Sequence, residues 1–197
     1  MPGRYVAIAG GFITLCVSSS LAWAADADGN FVIKGAGTVS CEVFTAARAA
    51  RDERFTSIAG WLDGYLTGVN ELREKTVDLA PWQHTELLLS ALDSWCRKRP
   101  NDTVHTASFR LVESLLATRL AERSTLVAIE NDDAVPVHLH AAVIERIQQR
   151  LTQRGLFAGA ASGQFDDATR EALRQFQRQR KLPVTGMPDQ VTLANLL

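Results

Sequence analysis

A chain of 197 residues is long enough for one medium domain or two small ones. It carries 21 Lys and Arg against 22 Asp and Glu, for a formal net charge of −1. No global charge excess points to nucleic acid, which is excluded as an expected partner.

Arg4 is the only charge before Asp26. An apolar run from Val6 to Val17 follows, then a small polar stretch and Ala22-Trp23-Ala24. A charged start, a short apolar centre and small residues at the exit predict a secretory signal peptide over residues 1–24. The run is too short to span a bilayer comfortably, so no stable membrane span is expected after processing. Leu15 stands before Cys16, where lipoprotein processing needs a small residue, which argues against a lipid anchor. Two cysteines then remain, Cys41 and Cys96. In an exported chain an isolated pair most simply forms one disulfide. Free thiols or thiol metal ligands are the alternatives, and they call for a cytoplasmic chain or nearby ligand partners.

Residues 25–37 are rich in Asp, Gly and Ala and read as a flexible leader. Val43, Phe44, Ala47 and Ala50 then recur at helical spacing. Ile58, Trp61, Leu62, Tyr65, Leu66, Val69 and Leu72 form a longer stripe on a second helix. Pro81 suits the first turn of a third, where its missing N–H costs nothing. That helix carries Leu87, Leu88, Ala91, Leu92 and Trp95 and ends near Pro100. Leu111, Leu115, Leu116 and Leu120 mark a fourth. Residues 38–125 thus predict a disulfide-closed helical bundle. Gly64 and Gly68, four apart on one helix, predict a close helix–helix approach inside it; a partner surface is the alternative. Trp61, Trp82 and Trp95 are expected in the core, with Trp82 the one open to exposure. Acids and Pro136 break the periodicity over residues 126–137, read as a linker. Residues 138–197 form a second small bundle, and the fold class is all-α.

That last segment uses one motif twice. Gly163, Asp166, Thr169 and Leu173 repeat their mutual spacing as Gly186, Asp189, Thr192 and Leu196. The glycines suit turns with positive φ. Asp166 and Asp189 take helix N-cap positions, where a carboxylate accepts from an unpaired N–H and favours the positive end of the helix dipole. Thr169 and Thr192 can reach back toward the caps in a weak capping box. Folding alone explains all of these residues, so the motif argues for an architecture before it argues for a ligand.

The ordered pattern Ile144-x-x-Ile147-Gln148, Gly163-x-Phe165-Asp166-x-x-Thr169, Phe176-Gln177 and Gly186-x-x-Asp189-x-x-Thr192 resembles the peptidoglycan-binding domain common to wall hydrolases. Asp166, directly after Phe165, and Pro188 stand where that family often has glycine. The resemblance implies a three-helix pseudo-repeat that binds the wall without catalysis. Peptidoglycan offers hydroxyls, amides and carboxylates, to which Arg and Gln are suited. Arg174, Gln177, Arg178, Arg180 and Lys181 crowd one helix end and are the candidate contacts, although cations near a helix C-terminus are also explained by the dipole.

Ser40-Cys41-x-x-Phe44, Trp61-x-x-Gly64-Tyr65-x-x-Gly68-x-Asn70 and Trp95-Cys96 resemble small disulfide-closed periplasmic helical proteins. These include acid-stress chaperones of the HdeA type and immunity proteins against type VI wall amidases. The resemblance implies an unidentified periplasmic protein partner and does not choose between chaperone and inhibitor.

No metal, cofactor or catalytic residue is expected. There is no His-Glu-x-x-His, and His138-x-His140 lacks a third ligand nearby. The sequence therefore predicts a non-enzymatic periplasmic protein that tethers a helical interaction domain to peptidoglycan. An acid-stress chaperone, an amidase inhibitor and an accessory subunit of a wall hydrolase are the alternatives.

Overall fold

A computed structural model describes Asp26, residues 28–131 and residues 134–197. The expected signal peptide lies outside these residues. The chain divides into two units, Met1–Val32 and Ile33–Leu197. In the first, the Asp26 carboxylate accepts from the backbone N–H of Asp28 at 3.0 Å and of Asn30 at 2.7 Å. This is the local turn that Asp side chains favour.

The second unit opens with four helices, three of them started by a side-chain cap. Ser40 accepts from Val43 N and begins α1, Cys41–Ala50. Asp52 accepts from Phe55 N and begins α2, Glu53–Leu72. α3, Thr85–Cys96, follows His84 without a side-chain cap. Thr103 accepts from Thr106 N and begins α4, Val104–Leu115. Each helix has an apolar stripe at three- and four-residue spacing. Phe44 and Ala47, then Ile58 and Leu62, then Leu89 and Leu92, then Val112 and Leu115 meet in one core. The Cys41–Cys96 disulfide, 1.99 Å between sulfurs, joins the first residue of α1 to the last of α3.

Three expectations are corrected here. Pro81 is not in the first turn of α3, which starts at Thr85; it is buried in the preceding loop. The stretch read as flexible leader ends in a 3-10 turn, Gly35–Thr38. Trp61 Nε1 donates to Lys34 O at 2.8 Å there, and a Cβ on Gly37 would lie 2.2 Å from the indole. Glycine in that stretch serves close packing, not mobility. Conversely, Gly64 and Gly68 of α2 have no atom within 4 Å of where a Cβ would sit. They mediate no helix contact. Trp61, Trp82 and Trp95 are all partly buried, and Trp61 stacks on Tyr65 with ring centroids 5.2 Å apart.

Where the sequence reads as a linker, the backbone forms a β-hairpin. β1, Leu126–Asn131, pairs antiparallel with β2, Ala134–His140, in the register Val127↔Leu139 and Ile129↔Val137, with an irregularity between Ile129 and Asn131. Ile129 and Leu139 are buried, as strand alternation requires once one face is covered. In a two-stranded sheet Pro136 keeps an edge, where its missing N–H is tolerated. The all-α expectation is thereby corrected to mostly helical: among the described residues there are seven α-helices and one two-stranded sheet.

α5, Ala141–Gln153, α6, Asp167–Arg180, and α7, Gln190–Leu196, complete the chain. Val143, Ile144, Ile147 and Leu151 meet Leu173, Phe176, Leu193 and the hairpin's Ile129 and Leu139 in a second core. The two cores share one compact unit. Arg146 of α5 donates to the carbonyls of Thr118 and Arg119 beyond α4. Gln190 of α7 donates to the Trp82 carbonyl and accepts from His84 N. No helix among the described residues is long and apolar enough to cross a membrane.

Candidate functional site

The repeated motif builds two equivalent turns, each entering a helix. In the first, Asp166 Oδ1 accepts from Thr169 N at 2.8 Å and from the Thr169 hydroxyl at 2.6 Å. The hydroxyl first, and the N–H next, hold the Asp166 carboxyl below its ordinary range. In the second, Asp189 Oδ1 accepts from Thr192 N at 2.7 Å. Both aspartates are the N-caps the sequence predicts. Gly163 and Gly186 have φ of 73° and 71°, the left-handed region that glycine enters without a side-chain clash.

What fastens each turn is a glutamine on the preceding helix. Gln148 of α5 is fully buried. Its Nε2 donates to Gln164 O at 2.8 Å and Thr169 Oγ1 at 2.9 Å, and its Oε1 accepts from Gly163 N at 3.0 Å. Gln177 of α6 is also fully buried. Its Nε2 lies 3.1 Å from Met187 O and 3.0 Å from Thr192 Oγ1, and its Oε1 accepts from Gly186 N at 2.8 Å. Three partners correspond, namely the motif glycine's N–H, the next residue's carbonyl and the motif threonine's hydroxyl; Gln177 Nε2 also lies 3.2 Å from Thr185 Oγ1. Buried polar atoms need such partners. Thr169 and Thr192, 0% and 1% exposed, therefore serve these locks as well as the caps.

This geometry removes Gln177 from the candidate wall contacts. A side chain with no exposed surface and both amide atoms engaged inside the domain has nothing to offer a ligand outside. The other four candidates stand on the surface. Arg174 and Arg178 both reach Glu171, at 3.4 and 2.8 Å. Arg180 and Lys181 are exposed at the end of α6, with Lys181 in the left-handed C-cap conformation. Phe165 is half-buried under the guanidinium of Arg170, and Phe176 is buried in the core.

From the sequence Gln177 is expected as a wall contact, and neither glutamine as a lock. The doublets Ile147-Gln148 and Phe176-Gln177, each a core residue followed by glutamine, were the available signal. Elsewhere, His138 is exposed and a His140 ring nitrogen lies 3.0 Å from Ser124 O. No group of three or more His, Cys, Asp or Glu side chains placed to hold a metal occurs among the described residues.

Residues 141–196 match the family described as "Putative peptidoglycan binding domain". No curated protein and no solved structure matches the chain. The matched span begins at the first residue of α5 and ends at the last of α7, so it contains both glutamine locks and both capped turns. Helices α5 to α7, with the turns between them, are thus the part of the chain that is similar to a peptidoglycan-binding domain.

Proposed function

We propose that the protein is an exported, non-enzymatic component of the bacterial periplasm that holds its disulfide-closed helical half at the cell wall. The observation that carries this is the family match over residues 141–196, coinciding with the doubled locked turn. The charged start, apolar run and small-residue exit over residues 1–24 support export. The disulfide of the helical half suits an oxidising compartment. The helical half binds a periplasmic protein, and wall attachment raises its local concentration near that partner.

The chain lacking residues 1–24 should co-sediment with purified sacculi and be released by excess soluble muropeptide. Full recovery in the supernatant would end the reading. Zymography on wall-loaded gels should show no clearing. Cross-linking on sacculi, followed by identification of the attached protein, separates an amidase inhibitor from an accessory subunit of a wall hydrolase. Suppression of client aggregation at acid pH, without sedimentation, would mark a chaperone.

A further inference from the structure

The face of α5 opposite its core stripe is not simply solvated. Arg146, Gln149, Arg150 and Gln153 fall at i, i+3, i+4 and i+7, so they share one side of the helix. Trp82 and the end of α4 stand across from them and enclose a cleft of about 520 Å³, within the range of small-ligand sites. No Asp or Glu side chain lines it, while two arginines do. Arg146 is half-buried and pinned by the Thr118 and Arg119 carbonyls. Arg150 is exposed and rests on Gln153 Oε1 at 3.2 Å. Gln83 also contributes to the wall of the cleft.

We propose that this cleft, built jointly by the wall-binding domain and the helical half, takes a carboxylate-bearing stem peptide of peptidoglycan. The inference rests on the wall-binding reading and names where and what the chain grips. Guanidinium groups in a cleft lined by no Asp or Glu side chain select carboxylate, which Arg meets with paired N–H donors. Gln153, whose Oε1 holds Arg150, keeps its amide N–H groups for peptide carbonyls, while Gln149 Nε2 donates to Glu145 Oε1 at 3.1 Å. Trp82 gives an apolar wall for the peptide's side chains.

The test uses the chain lacking residues 1–24 and titration calorimetry. The probes are a soluble disaccharide-tetrapeptide and the same muropeptide with its carboxyls amidated. Wild type should bind the amidated probe about tenfold more weakly, and Arg150→Gln should weaken the unmodified probe about tenfold, the scale of a lost charged hydrogen bond. The two losses should not add, because they remove one interaction. Arg150→Lys should recover part of the affinity. Equal affinity for both probes, with sacculus binding intact, would overturn the cleft assignment and leave wall binding standing. Loss of sedimentation in Arg180→Gln but not Arg150→Gln would move the contact to the end of α6, with the same consequence. Failure of wild type to bind sacculi or either probe would remove both claims. If Arg150→Gln misfolds by circular dichroism, the two-probe comparison on wild type decides alone.

Discussion

Replacing Gln177 with leucine keeps its volume roughly constant and strands three buried groups: the Gly186 N–H, the Met187 carbonyl and the Thr192 hydroxyl. Each unsatisfied group costs about 1–3 kcal/mol. The Gln177→Leu chain should therefore lose about 3 kcal/mol in urea melts, and Gln148→Leu a similar amount. A loss below about 1 kcal/mol would show that the turns are held by other means. Asp166 gives a pH-dependent counterpart. Its carboxyl titrates below the ordinary value of 3.8 because the Thr169 hydroxyl and N–H stabilise the ionised form. Its contribution is thus complete above the unfolded value and lost as pH falls through the lower folded one. Asn still caps a helix but does not ionise. Asp166→Asn should therefore flatten the fall in stability between about pH 5 and pH 3; superimposable pH profiles would refute the assignment. At this scale the caps were legible, because Gly, Asp and Thr keep one spacing in both copies. The locks were not, because Gln148 reaches its glycine across 15 residues and Gln177 across 9. Unequal intervals leave no periodic trace. Sequence adjacency groups Gln177 with Arg174 and Arg178, although it sits at the edge of their helix face and turns into the core.

Among the elements, α2 keeps glycines at 64 and 68 with no contact to justify them. Glycine inside a helix costs about 1 kcal/mol relative to alanine. Gly64→Ala and Gly68→Ala should each raise stability by about 0.5–1 kcal/mol, read as a higher midpoint in thermal melts. A drop would mean that the helix face is covered. The disulfide acts across elements, since it closes a 55-residue separation between the start of α1 and the end of α3. Chain-entropy reasoning sets its contribution at about 4 kcal/mol. Cys41→Ser with Cys96→Ser should lower the denaturation midpoint accordingly, and an unchanged midpoint would show that the helices need no staple. The four helices of this half were readable from apolar spacing alone. The hairpin was not: Val127 and Ile129 alternate in period with Val137 and Leu139, but Pro136 and the acids between them carry the stronger signature of a break. Pro81 misled in the other direction. It satisfies the rule for a first helical turn, yet α3 waits for Thr85, because burial of Pro81 and Leu79 fixes the loop first.

For the molecule as a whole, composition and periodicity separate residues 38–125 from 138–197, whereas the described residues from Ile33 onward pack as one unit with two cores. No local pattern could have announced the joint, because the groups that make it lie far apart in the chain: Arg146 is 28 residues from Thr118, and Gln190 is 108 from Trp82. Long-range polar contacts of this kind obey no periodicity. The joint is also lopsided. Arg146 and Gln190 contribute side chains, while Thr118, Arg119, Trp82 and His84 contribute only peptide groups to these bonds. Peptide groups are present whatever residue occupies a position. Substitution at Thr118, Arg119 or His84 therefore leaves these bonds in place, whereas Trp82 also packs against the second core, and change at the two donors, 146 and 190, would unfasten the seam. A homologue that has lost both donors should swing its α5–α7 segment on a hinge.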